Sequence, residues 1–379
     1  MANNNKHTGP NVPALRFPEF SGKWELCQIK DFGKVITGST PPTSKTEYYD
    51  NGVFLWASPA DLGNVKDVIS TKTKLSQQGF DKCRKIPAHS ILVTCIGSTI
   101  GKMGMATTEM ATNQQINSII PIDCNPDYVY YSIQSRFPKY ITSIATQAVP
   151  ILSKSVFESL DSYKTSIEEQ NKIGKLLHLL DERIDAQSKI IEEQETFLKS
   201  LADKLFLQNN HSCQLSEIVN IVKGKQLNAD TLSETGDYYV MNGGITPSGY
   251  YSEYNVPAGA ISISEGGNSC GYVQFNEKPF WSGGHCYSLQ CRTNLVDYKY
   301  IYYYLKTKEA DVMALRIGSG LPNIQKKDIE KFTISYPSLQ LQKQFVKALD
   351  ALSGKINTEK NLLEKYCQQK SYLLSQMFI

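Results

Sequence analysis

The sequence predicts an α+β fold, a tandem duplication of two β-rich globules separated by two long helices paired antiparallel as a coiled coil. Three observations predict it. Residues 157–206 and 329–378 align without a gap at a constant offset of 172, and ten of the fifty positions are identical. Inside both copies the apolar residues follow a helical repeat. Outside them the chain is written in short β-branched and aromatic runs separated by turn residues.

The helical repeat is the clearest signal. Ile173, Leu177, Leu180, Ile184, Gln187, Ile191, Gln194, Leu198, Leu201 and Leu205 succeed one another in alternating steps of four and three. The second copy keeps the seam as Phe345, Leu349, Leu352, Ile356, Glu359, Leu363, Tyr366, Lys370, Leu373 and Met377. A 3.5-residue period is the mark of a coiled coil. A helix of about 40 residues is roughly 60 Å long at ~1.5 Å per residue. With one apolar stripe it needs a partner in water, and the other copy is the expected one. Charge agrees with that pairing: 166–210 holds six Lys and Arg against nine Asp and Glu, whereas 338–379 holds six against three.

Taken in order, residues 1–14 are rich in Asn and Pro and read as a loose arm. Strand chemistry follows at 34–37, 53–57, 91–96 and 115–122, and 128–136 reads as a short helix. Residues 211–337 repeat this plan. Pro87-Ala88 matches Pro257-Ala258 at an offset of 170, and Gly97, Gly101 and Tyr128 meet Gly267, Gly271 and Tyr298 at the same offset. The expected boundaries are 1–165 and 211–337 for the globules, with helical spacers at 166–210 and 338–379.

Composition narrows the class. A chain of 379 residues exceeds one ordinary core. Its net charge of +3 does not by itself announce a nucleic-acid binder. Nine cysteines without a Cys-x-x-Cys spacing, and no apolar leader in the first ten residues, point to reduced thiols and a cytoplasmic setting. No apolar run reaches the ~18 residues of a membrane span.

The motifs then suggest a family. Leu15-Arg16-Phe17-Pro18 with Trp24-Glu25, Gly38-x-Thr40-Pro41 with Trp56 and Asp61, and Gly97-Ser98-Thr99-Ile100-Gly101-Lys102 mark the first half. Met241-Asn242-Gly243-Gly244-Ile245-Thr246-Pro247-Ser248-Gly249-Tyr250 marks the second, and Ile167-Glu168-Glu169-Gln170 and Pro337-Ser338-Leu339-Gln340-Leu341-Gln342 lead into the helices. In this order the chain resembles the specificity subunit of type I restriction-modification enzymes over essentially its whole length. Thr165 stands where the family has a proline, and the second junction lacks the usual Glu-Gln.

The resemblance implies that each globule is a target-recognition domain for half of a bipartite, asymmetric site on double-stranded DNA. It implies that the helices dock two methyltransferase (modification) subunits and restriction subunits. S-adenosylmethionine, ATP and Mg would be used by those partners, with no cofactor, metal or catalytic residue in this chain. The rival readings are a divergent methyltransferase or nuclease, and a coiled-coil scaffold whose β modules bind protein or sugar.

The residues agree that catalysis lies elsewhere. Asn125-Pro126-Asp127 lacks the second proline and the aromatic of an adenine-methyltransferase loop. The Gly33 to Gly38 spacing imitates a phosphate loop, but no lysine follows Gly38, so it reads as a strand turning into a loop. The five histidines show no metal-ligand spacing; His178, off the seam, is expected on the surface.

Sequence readout needs polar side chains at base edges and phosphates. The first-module candidates are Ser39, Thr40, Lys45, Ser58, Ser98, Thr99, Lys102, Gln114, Gln115, Gln147 and Lys154. The second-module candidates are Lys223, Lys225, Asn242, Ser248, Asn268, Ser269, His285, Arg316, Ser319, Asn323, Lys326 and Lys327. Gly97, Gly101, Gly243, Gly244, Gly266, Gly267 and Gly320 are expected to shape loops, and Trp56 and Trp281 to serve the core.

Overall fold

The computed structural model describes residues 11–63, 65–142, 151–207, 210–318, 320 and 322–379. The chain forms two compact units, 1–189 with 361–379 and 190–360. These limits differ from the expected ones because both long helices, Ile167–Phe206 and Leu339–Met377, are divided near their middles. Each globule packs with the nearer half of both helices, so the spacers are parts of the units.

The first unit is built on a five-stranded sheet in the order Gly33–Thr37, Ile116–Pro121, Ile91–Thr94, Met103–Ala106, Asp67–Val68. A four-stranded sheet pairs Phe54–Ala57 in parallel with Met110–Thr112. The second unit repeats this with Val219–Lys223, Cys286–Cys291, Ala260–Ser264 and Val273–Asn276 in one sheet. A parallel pair of Tyr238–Met241 and Phe280–Ser282 lies in another. The registers coincide: Ile91 faces Ile119 as Ile261 faces Leu289, and Thr94 faces Ile116 as Ser264 faces Cys286. The inner strands are buried throughout, which is why 91–94 and 260–264 are apolar or small without alternation.

Behind each sheet lies a tyrosine-rich helix. The first spans Pro126–Thr142, longer than the expected 128–136, because the turn containing Pro138 still packs its Phe137 and Tyr140 into the core. The second, Tyr298–Thr307, begins at Asp297, whose carboxylate accepts from the Tyr300 amide at 3.1 Å. Tyr128 donates to the Tyr163 carbonyl at 2.8 Å, and Tyr300 does the same to Ser335 at 2.9 Å.

One glutamine attaches each long helix at its start. Gln170 Oε1 accepts from the Asn125 amide and its Nε2 donates to the Thr165 carbonyl. Gln342 repeats both bonds, with Asp297 and Pro337. Both side chains are shut away from water, which explains why this identity survives among the ten. In the first unit Arg16 adds a two-bonded ion pair to Glu169, at 2.7 and 2.8 Å, with Trp24 Nε1 donating to the same carboxylate at 3.2 Å.

The helices run antiparallel within each unit. Lys370 reaches Asp181 at 2.5 Å and Arg183 Nε donates to the Tyr366 hydroxyl in the first; Lys360 reaches Glu195 at 2.6 Å in the second. Every seam position of both copies is buried or half-buried. Ile173 and Leu177 enter the first core, with Met377 and Phe378; Ala202 and Phe206 enter the second, with Phe345 and Leu349. Phe378 lies 5.6 Å from the Tyr128 ring, and Phe206 lies 5.3 Å from the Tyr300 ring.

Truncating a buried phenylalanine costs about 3–5 kcal/mol. Phe206→Ala should therefore raise amide hydrogen exchange through Ala260–Ser264 and leave Ile91–Thr94 protected, and Phe378→Ala should do the reverse. Equal loss in both sheets from either variant would contradict the division into units.

Candidate functional site

Each unit gathers its loops at one rim, where the central strands of the main sheet end. In the first unit the rim comprises 38–40, 58, 95–98, 113–115 and 151–152. In the second it comprises 224–225, 242–244, 265–269, 283–285 and 322–324. The same backbone bonds tie both. Gly38 N donates to Ile116 O and Gly224 N to Cys286 O; Ser39 N donates to Thr112 O and Lys225 N to Ser282 O. Cys95 N donates to Gln115 O as Glu265 N does to His285 O. Leu152 N donates to Cys95 O as Ile324 N does to Glu265 O.

Gly38 and Gly224 are required by this close approach. A Cβ on Gly38 would lie 2.1 Å from the Asn113 carbonyl oxygen, and one on Gly224 would lie 2.2 Å from that of Gly283. Trp56 and Trp281, both half-buried, brace the strand after these glycines from different positions. Trp56 Nε1 donates to Ser39 O at 3.0 Å, and Trp281 Nε1 to Lys225 O at 2.8 Å.

The second rim encloses a cleft of about 800 Å³. Asn242, Ser248, Asn268, Ser269, His285 and Asn323 line it, over a glycine floor of Gly243, Gly244, Gly266 and Gly267. Lys223 stands beside it, bonded to Glu265 at 2.6 Å, and exposed Lys225 follows on the strand's end. At the first rim Thr40 pairs with Gln114, Ser98 is exposed at the loop tip with Thr99 half-buried beside it, and Ser58 is bonded to Asp61 at 2.7 Å. Ser39 accepts from the Arg84 amide at 2.9 Å, and Gln115 Oε1 accepts from Asn113 at 3.0 Å.

Other candidates do not join the rims. Lys102 lies against Gly63 in a separate apolar cleft with Ile100, Phe137 and Pro138. Lys45 is paired with Glu47, Lys154 with Glu158 and Lys326 with Glu330, all at exposed ends of local structure. Arg316 and Lys327 are exposed. Gln147 and Ser319 lie outside the described residues.

Two groups that the sequence singled out have structural partners. Asn125 of the Asn-Pro-Asp run caps the tyrosine-rich helix, its Oδ1 accepting from the Tyr128 amide at 2.9 Å. His178 is half-buried rather than on the surface, because Lys66, itself paired to Asp127 at 2.6 Å, packs against its Nδ1. Among the described residues no group of three or more His, Cys, Asp and Glu is placed to hold a metal ion, and no helix is long and apolar enough to cross a membrane.

Sequence reasoning nominated Gln115, Lys223 and His285 but missed Thr37, Cys95, Asn117, Glu265 and Tyr287, which complete four matched positions beneath the rims. Pairing places Thr37 beside Asn117 and Lys223 beside Tyr287. With the next two positions, the first unit presents Thr37, Cys95, Gln115 and Asn117 where the second presents Lys223, Glu265, His285 and Tyr287. Thr37 donates to Asn117 at 2.7 Å, and burial pushes the Cys95 thiol up to about 12. Burial, then the Glu265 carboxylate, raise the Tyr287 phenol, which donates to Glu265 Oε1 at 2.8 Å. The offset of 170 could have found the pairs Cys95/Glu265 and Gln115/His285. Only strand pairing places Thr37 and Lys223 with them.

A family model described as Type I restriction modification DNA specificity domain matches residues 21–196 and again 209–365. The chain belongs to the type I restriction-modification DNA specificity family. It is similar to a putative type I specificity subunit of Mycoplasma genitalium, at 23% identity over 75% of this chain and 79% of the relative. It is also similar to a type I restriction enzyme specificity subunit of Methanocaldococcus jannaschii, at 30% identity over 48% of this chain and 43% of the relative. The fold is similar to a crystal structure of a type I restriction-modification S subunit from M. genitalium, with a TM-score of 0.71 at 20% identity over 97% of this chain and 99% of that one. As a specificity subunit of this family, the chain recognises DNA sequence as part of a restriction-modification system, and the two matched stretches are its two repeats.

The packing of the rims has a chemical readout. The thiolate is the form that is alkylated, so a raised thiol reacts slowly. Burial holds Cys95 up to about 12 and Cys286 up to about 11, whereas Cys291 and Cys367 are exposed. Iodoacetamide at pH 8 should label Cys291 and Cys367 and spare Cys95 and Cys286 until the protein is unfolded, as read by peptide mass spectrometry. Early labelling of Cys95 would contradict a closed first rim.

Proposed function

We propose that the chain is the non-catalytic reader of a bipartite, asymmetric DNA site, each rim taking one half-site. One observation carries this reading. The two rims have the same backbone scaffold and different side chains at matched positions, neutral in the first unit and ionic in the second. Identical scaffolds with unlike polar groups suit two unlike sequences, because base edges are told apart by donor and acceptor pattern. The polar cleft at 242–248, 266–269 and 323 supplies such groups, and exposed Lys225 beside it supplies a cation for phosphates.

The helices in this reading separate the half-sites and carry the partners: two methyltransferase subunits, and restriction subunits beyond them. Exposed apolar side chains off the seam support a covered surface, with Leu179 51%, Phe197 59% and Tyr372 60% exposed. S-adenosylmethionine, ATP and Mg belong to those partners, which supply methyl transfer, translocation and cleavage.

Replacing residues 211–337 by the matching module of a relative should change one half of the methylated motif, read by methylation-sensitive sequencing, and leave the other half and the spacing as they were. A swap that altered both halves, or neither, would overturn independent reading.

A further inference from the structure

Among the described residues, Glu265 is the one position at either rim where a carboxylate is sealed beneath the loops: it is 4% exposed. Its Oε1 is saturated by Lys223 Nζ at 2.6 Å and the Tyr287 hydroxyl at 2.8 Å. Its Oε2 is buried with no hydrogen bond. His285 Nδ1 lies 3.6 Å from Oε2. That ring is 60% exposed and lines the cleft, while its backbone amide is clamped by Asn242 Oδ1 at 3.1 Å. An ion pair with Lys223 accounts for Oε1. It leaves Oε2 turned toward a ring that has its other nitrogen free for the cleft.

We propose that His285 reads one base of the second half-site by accepting, through Nε2, an exocyclic amino hydrogen of adenine or cytosine, and that Glu265 is the positioning residue that sets the ring's tautomer. This rests on the half-site reading given above. A neutral imidazole has one donor and one acceptor nitrogen, and the neighbour of one nitrogen decides the role of the other. An ionised carboxylate only accepts, so Glu265 Oε2 favours Nδ1–H and leaves Nε2 as the acceptor. In the major groove adenine and cytosine present amino donors, whereas guanine and thymine present carbonyl oxygens at the corresponding edges. The first unit has no counterpart. Its Gln115 is held by Asn113 and by the Ile96 carbonyl, over Cys95.

The test is selection of binding sites from a random duplex pool by the full chain and its variants. Wild type should require adenine or cytosine at one position of the second half-site. His285→Ala should relax that position by roughly tenfold in affinity ratio and leave the first half-site unchanged. Glu265→Gln gives a sharper outcome. Lys223 and Tyr287 both donate to Oε1, so the amide oxygen must take that place and the amide NH2 must face His285. Nδ1 then becomes the acceptor, Nε2 carries the hydrogen, and the preference should turn toward guanine or thymine at that position alone.

An unchanged motif with His285→Ala, or with Glu265→Gln, would overturn the assignment. Loss of every position of the second half-site together would mark His285 as structural and overturn it as well. Failure of half-site reading itself is distinguishable, because the module swap would then leave the motif unaltered whichever base His285 faces.

Discussion

Both cores of this protein depend on helix ends supplied from far along the chain. The first long helix begins against the core of Trp24, Tyr128 and Leu177 and ends with Phe206 on the ring of Tyr300. The second begins at Phe345 and Leu349 in that same second core and ends with Phe378 against Tyr128 and Trp24. A helix with one apolar stripe is stable only when that stripe is covered along its length. Within each unit the cover is the other helix at the seam and that unit's own core. None of the rim residues is a seam position.

That freedom has a chemical use. The rims share strand registers, backbone bonds and the pair of glycines at 38 and 224, so the scaffold tolerates different side chains at the same points. Thr37, Cys95, Gln115 and Asn117 form a neutral group, and Lys223, Glu265, His285 and Tyr287 form an ionic one. Burying a carboxylate is costly unless it is paired and bonded, and Lys223 with Tyr287 meet that need at Oε1. A single duplicated fold can in this way present two different recognition surfaces without altering its core.

Much of the architecture was legible in the sequence because the duplication repeats its own constraints. The seam was visible as alternating steps of four and three, and the offset of 170 anticipated the matching registers of 91–94 with 261–264. The buried glutamines were in view as Gln170 and Gln342, although identity alone did not say that each holds a helix start to the loop before the tyrosine-rich helix. The rims were harder. Asn242, Asn268, His285 and Asn323 meet in one cleft, but Lys102, Lys154 and Lys326 were nominated beside them on polarity and lie elsewhere. Glu265 was passed over because a sequence does not reveal that a carboxylate is sealed beneath a loop with one oxygen unbonded. The unit limits were also hidden, since nothing in a continuous heptad repeat marks where one globule's packing gives way to the next.

If the helices set the distance between half-sites, then lengthening both must lengthen the recognised gap. Four residues inserted after Lys189 and four after Lys360, where the units divide, keep the antiparallel pairing matched and turn each helix by about 400°, so the seam nearly realigns. The insertion adds ~6 Å of helix, against ~3.4 Å for each base pair. Methylation-sensitive sequencing should then find both half-sites unchanged and the spacer longer by one or two base pairs. Methylation at the original spacing would contradict the account.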